Sequence, residues 1–245
     1  MKNTSNAPDS KDPQSMQHKV KLTISSALAA CILCAAGFGL IALWVSDSRI
    51  HNFDMTVIRW VSFLDSPTST AVMKFFTFIG GGLPVVLITI LAMSFLYVFL
   101  RHRKELIFMG AVVIGSLLLN LILKAIFERA RPTINRMVEA GGYSFPSGHS
   151  MAAFSLYGAL IFLVWKHVPS RLGRMGVILA GALFILMIGI SRIYLGVHYP
   201  SDVLGGYFVS GCWLAFTIWT YQRMMKRRRR RHSGHEDGRR LRQTM

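Results

Sequence analysis

Residues 175–222 read MGVILAGALFILMIGI-SRIYLGVHYPSD-VLGGYFVSGCWLAFTIWTYQ, two apolar runs separated by a polar cluster at Ser191–Asp202. A helix that crosses a bilayer needs about 17–25 predominantly apolar residues, and the runs 175–191 and 203–222 are of that length. Their hydrophobicity is continuous rather than alternating, which selects helices over strands. A spanning helix also satisfies its backbone internally, as lipid requires. Four more runs of this kind lie upstream, at 22–45, 81–100, 106–127 and 148–165. With 52% hydrophobic residues in 245, the composition is that of an integral membrane protein. The expected fold is all-α, an integral membrane bundle of six transmembrane helices over residues 21–222. No internal repeat and no second domain are visible. Residues 1–20 are polar, contain Pro8 and Pro13, and are expected to be disordered. Residues 223–245 form a basic tail.

Lys and Arg in the connections set orientation. The N-terminal segment, the 101–105 turn, the 166–174 turn and the tail together carry 20 of the 28 basic residues. Both termini are therefore expected in the cytoplasm, which puts the connections at 46–80, 128–147 and 192–202 on the extracytoplasmic side. The net charge of +17 could suggest nucleic acid, but the tail from Arg223 onward supplies +8 of it. Directly after a spanning helix, Lys226–Arg231 reads instead as an anchor on anionic lipid headgroups. Cys31, Cys34 and Cys212 all lie in apolar runs and read as small helix filler rather than metal or redox centres. Within 46–80, Ile50, Phe53, Ile58, Trp60 and Val61 fall near helical spacing, as in an interfacial amphipathic helix or an ordinary packed one. Gly80-Gly81-Gly82 with Pro84 marks entry into the second span.

Three polar clusters interrupt the apolar chain, at Lys124–Pro132, Pro146–His149 and Ser191–Asp202. Ionisable groups at membrane depth are costly and point to function. His198 and Asp202 are four apart and share a face if a helix starts there. A carboxylate on one imidazole nitrogen fixes the tautomer and leaves the other free to attack. Alternatively, Asp202 caps a helix and His198 is a loop residue. Pro200 suits the first helical turn. Ser147 is a good N-cap, Gly148 lets a ligand approach the backbone, and free N–H groups at a helix start bind phosphate oxygens. His149 then stands where it could protonate a leaving oxygen. Lys124 by itself is a snorkelling lysine, and Arg129, Arg131 and Arg136 by themselves are interfacial charges.

Taken together, Lys-x6-Arg-Pro, Pro-Ser-Gly-His and Ser-Arg-x5-His-x3-Asp resemble the three-part signature of the type 2 phosphatidic acid phosphatase superfamily. Every key position is filled: Lys124, Arg131, Pro132, Pro146, Ser147, Gly148, His149, Ser191, Arg192, His198 and Asp202. Arg129 and Arg136 fall outside the pattern. The resemblance implies a phosphatase acting at the outer face of a cell membrane, with undecaprenyl diphosphate or phosphatidylglycerol phosphate as substrate. It implies that His198 attacks phosphorus, Asp202 orients it, and His149 protonates the leaving group. Lys124, Arg131, Arg192, Ser147 and the Gly148 N–H would hold the phosphoryl oxygens, and Ser191 would support the loop. Phosphomonoester hydrolysis can require up to about 10²¹-fold acceleration, roughly 28 kcal/mol. One oxyanion donor supplies only about 3–4 kcal/mol, so covalent catalysis and positioning must add to the cations. The scheme calls for no metal and no cofactor. A vanadium haloperoxidase shares the signature, but its known relatives are soluble. A lipid transporter or scramblase would use the same polar cluster as a headgroup path and release no phosphate.

Overall fold

In the computed structural model, the described residues are 13–98, 103–134 and 136–243, with side chains described for 26–98, 104–134 and 136–227. Their regular structure is entirely helical: α1 (Pro13–Ser46), α2 (His51–Ser62), α3 (Pro67–Ile79), α4 (Gly82–Val98), α5 (Arg103–Phe127), α6 (Gly148–Trp165), α7 (Arg171–Tyr194) and α8 (Pro200–Gln243). Five of these contain stretches long and apolar enough to span: Ser26–Ser46, Lys104–Phe127, Gly148–Trp165, Arg171–Tyr194 and Pro200–Arg227. These match five of the six expected runs. The remaining run, 81–100, corresponds in its described part to α4. It passes the same test only together with α3, from which it is bent by 54°.

The segment before that span is richer than the sequence suggested. Residues 46–80 hold two helices, not one. Ser66 caps α3 by accepting from the Ser69 N–H at 3.1 Å, with Pro67 at the first helical position. The α3 helix packs against α7 and brings its C-terminal end towards the start of α6.

Spanning helices of this bundle have one inward and one outward stripe. On α7, Leu172, Leu179, Leu183 and Leu186 recur at spacings of seven, four and three and are exposed, as a lipid-facing row is. Ile185, Ile188 and Gly189 on the same helix are buried. The helix α6 sits inside, packed by α4, α5, α7 and α8. Its buried small residues Ser150, Ala153, Ser155 and Ala159 let neighbours approach closely. The main apolar core, around Val85, Phe108, Met109, Val112, Leu156 and Leu214, lies between α4, α5, α6 and α8. Gly206 of α8 lies against the start of α6, where a methyl in place of its hydrogen would stand 3.1 Å from the Ser147 carbonyl oxygen. The end of α5, the starts of α6 and α8 and the end of α7 thereby meet at one end of the bundle, where the three polar clusters lie.

Candidate active site

The residues singled out from sequence converge at that end. His198 lies in the short turn between α7 and α8, and Asp202 lies in the first turn of α8. His198 is 2% exposed and Asp202 fully buried. Their side chains meet at 3.4 Å between Nδ1 and Oδ2. The same Oδ2 accepts from the Tyr199 N–H at 2.8 Å and from the Ser144 hydroxyl. With Nδ1 turned to the carboxylate, Nε2 faces Arg131 Nη1 at 3.1 Å. An arginine only donates, so this contact selects a lone pair on Nε2 and a proton on Nδ1. Burial pushes His198 down to about 4; Asp202 opposes that shift, and the Arg131 and Arg192 cations reinforce it. The imidazole is therefore neutral near pH 7, as a nucleophile requires.

Arg131 is held by backbone. Its Nε donates to the Gly142 carbonyl at 3.0 Å, Nη2 to Gly141 at 2.8 Å and Nη1 to Val197 at 2.8 Å. Gly142, at φ 67°, takes the left-handed conformation that presents these carbonyls. Of five guanidinium N–H groups, one on Nη2 is left for a ligand. Arg192 is 5% exposed; its Nη1 donates to Thr77 of α3, while its Nε has no partner among the described residues. A buried cation with donors to spare is a fit for an anion. Lys124 donates one of its three hydrogens to the Tyr143 carbonyl at 2.6 Å. Lys124, Arg131, Arg192 and His198 all lie close enough to His149 to act on it electrostatically.

His149 is the second residue of α6. Neither of its ring nitrogens has a hydrogen-bond partner among the described residues. Ser147 caps the helix, accepting from the Ser150 N–H at 3.4 Å and the Ser150 hydroxyl at 2.9 Å. The N–H groups of Gly148 and His149 precede the first intrahelical bond, which runs from Met151 to Ser147, so they remain for a ligand. Asn120 of α5 ties this turn down by donating to the Pro146 carbonyl at 3.1 Å. Beside His149 a cavity of about 300 Å³ opens between α4, α5 and α6, lined by Val85, Val86, Val113, Leu117, Met151 and Ala152 among others. Among the described residues, no three His, Cys, Asp or Glu side chains come together as a metal site.

Several participants were not singled out from sequence. Arg129 is not a loose interfacial charge: it bridges Asp202 and Asp54 at 2.6 and 2.8 Å. Asp54, on α2, is fully buried. Its signal was present: it lies on the stripe of Ile50, Ile58 and Val61, where an acid is out of place on an apolar face. Phe53 and Trp60, grouped with that stripe by spacing, are instead exposed at 44% and 67%. Thr77, Ser144 and Asn120 had no comparable signal, because each acts through a partner distant in the chain.

A buried imidazole backed by a carboxylate and fronted by cations is an anion-handling site set into a membrane bundle. Residues 105–226 match the PAP2 superfamily, and the chain belongs to that family. It is 34% identical over 199 residues to phosphatidylglycerophosphatase B of Bacillus subtilis, covering 79% of this chain and 95% of that one. It is 31% identical over 115 residues to undecaprenyl-diphosphatase BcrC of the same organism, covering 45% of this chain and 54% of that one. The crystal structure of a transmembrane PAP2 type phosphatidylglycerolphosphate phosphatase from Bacillus subtilis superposes with a TM-score of 0.72 at 28% identity. That superposition covers 80% of this chain and 98% of the other. The resemblance drawn from the three motifs thus holds at the level of family and fold.

Proposed function

We propose that this protein, a membrane lipid phosphatase, hydrolyses undecaprenyl diphosphate or phosphatidylglycerol phosphate through a phosphohistidine on His198. One observation carries the reading: His198 Nδ1 faces the Asp202 carboxylate while Nε2 stands beside Arg131, with Arg192 and Lys124 nearby. The Nε2 lone pair forms the P–N bond as the P–O bond to the leaving group breaks. His149 gives that oxygen its proton. A water then forms a new P–O bond, the P–N bond breaks, His149 takes the water's proton, and inorganic phosphate leaves. Lys124, Arg131, Arg192, Ser147 and the Gly148 N–H hold the phosphoryl oxygens, where charge develops. The apolar cavity beside His149 suits a lipid leaving group.

The names of the similar Bacillus proteins support the two substrates. The Lys and Arg distribution supports cytoplasmic termini, an extracytoplasmic site in the plasma membrane, and a basic tail resting on anionic headgroups. Residues 21–222 form the catalytic unit in this reading. The test is phosphate release from both lipids in EDTA by wild type and His198→Ala. Lipid movement that survives the substitution, without phosphate release, would support a transporter instead.

A further inference from the structure

We propose that Arg129 and Asp54 are positioning residues for the nucleophile, fixing the Asp202 carboxylate although neither belongs to the three-part signature. The inference rests on the assignment of His198 as nucleophile. Asp202 Oδ1 is committed to Arg129 Nη1 at 2.6 Å. That leaves Oδ2 to Ser144, the Tyr199 N–H and His198 Nδ1. Arg129 Nη1 also donates to the Ser201 hydroxyl at 2.7 Å, and Nη2 to Asp54 Oδ2 at 2.8 Å. The guanidinium stacks 4.2 Å over the Tyr199 ring.

Asp54 in turn grips the start of α8. Its Oδ1 accepts from the Ser201 N–H at 2.9 Å and its Oδ2 from the Ser201 hydroxyl at 2.7 Å. Ser201 is the neighbour of Asp202, so one acid of α2 holds the backbone that carries the catalytic carboxylate, while Arg129 holds the carboxylate itself. Two carboxylates and one guanidinium leave a net negative charge on the Nδ1 side of His198, away from the nitrogen that attacks. A packing role alone has no use for a buried carboxylate and a largely covered guanidinium spent on one helix start, since apolar residues of similar volume do as well.

Two full-length variants in detergent micelles test this. Asp54→Asn keeps the shape and removes a negative charge; Arg129→Lys keeps the charge and removes the planar two-armed grip. Both are expected to lower kcat by about 10- to 100-fold, the size of effect found when the orienting partner of a metal-ligating side chain is lost, with KM little changed. The acid limb of kcat/KM gives a second readout. His198 faces Asp202 on α8, Arg131 and Ser144 in the 128–147 connection, Arg192 on α7 and His149 on α6. Removing one negative charge behind it moves the limb to lower pH in Asp54→Asn, while Arg129→Lys leaves it in place. Wild-type kcat in both folded variants would overturn the proposal. So would limbs that move together, or a rate loss in both that matches the loss of folded protein in thermal melts. If wild type is active and His198-dependent while the variants match it, only the positioning role fails. If wild type and His198→Ala release phosphate equally, the nucleophile assignment fails and this inference with it.

Discussion

Replacing Asp202 by Asn changes one oxygen to an NH₂ and leaves the shape alone, yet no orientation of the amide satisfies its surroundings. With the amide oxygen toward Tyr199 N–H, Ser144 and His198, the NH₂ meets Arg129 Nη1 across 2.6 Å, donor against donor. With the oxygen toward Arg129, the NH₂ meets the Tyr199 N–H, formerly 2.8 Å from Oδ2, and His198 Nδ1 must accept. The imidazole proton then moves to Nε2, which blocks the attacking nitrogen and sets it against the Arg131 donor 3.1 Å away. In serine proteases the equivalent change of tautomer lowers kcat by about 10⁴, which is about 5.5 kcal/mol of barrier. Breaking a buried ion pair costs about 3–5 kcal/mol of stability; Arg129 keeps Asp54, so the loss falls toward the lower end. The assay pairs phosphate release with thermal melting in detergent. A folded Asp202→Asn protein within about tenfold of the wild-type rate would refute the tautomer argument.

Further outcomes follow from individual contacts. Gly206→Ala puts a methyl 3.1 Å from the Ser147 carbonyl oxygen and 3.3 Å from Ser150 Cβ. It should cost about 1–3 kcal/mol and slow turnover by shifting the start of α6; an unchanged melting temperature and rate would contradict this. Thr77→Val removes the acceptor for Arg192 Nη1, a charged hydrogen bond of about 1.5–3 kcal/mol. That loss should show as a lower melting temperature and, with the guanidinium no longer held from α3, as weaker inhibition by inorganic phosphate; unchanged melting and inhibition would dismiss the α3 contact. His198, held at about 4 mainly by burial, puts the acid limb of kcat/KM near pH 4; a limb near the ordinary 6.5 would oppose that. Because the folded value lies below the unfolded one, the unfolded chain binds more protons between them. Stability from this group is therefore full above about pH 6.5 and falls as pH drops toward 4, visible as a lower wild-type melting temperature at pH 5 than at pH 7.

The spanning helices were legible because continuous hydrophobicity and length suffice to mark them. The run 148–165 coincides with α6, and 175–191 falls inside α7. The candidate site residues were legible for a related reason: Lys124, Arg131, His149, Arg192, His198 and Asp202 interrupt apolar sequence, and polar groups there stand out. What escaped was polar sequence in a polar place. Asp54 and Arg129 lie in connections, where a charge is ordinary, and only the docking of α2 against α8 buries Asp54 and brings Arg129 to it. The helix α3 escaped because Gly80-Gly81-Gly82 reads equally as the beginning of one helix or the bend between two. Its Thr77 is an unexceptional hydroxyl until α7 brings Arg192 beside it.

The central claim is metal-independent phosphoryl transfer to His198. Its most direct measurement is phosphate release by purified protein from undecaprenyl diphosphate and phosphatidylglycerol phosphate in EDTA, beside His198→Ala. Release by wild type from at least one lipid, falling to background in the variant, is the predicted result. Undiminished release by His198→Ala, or a wild type that works only when a metal is restored, would contradict it.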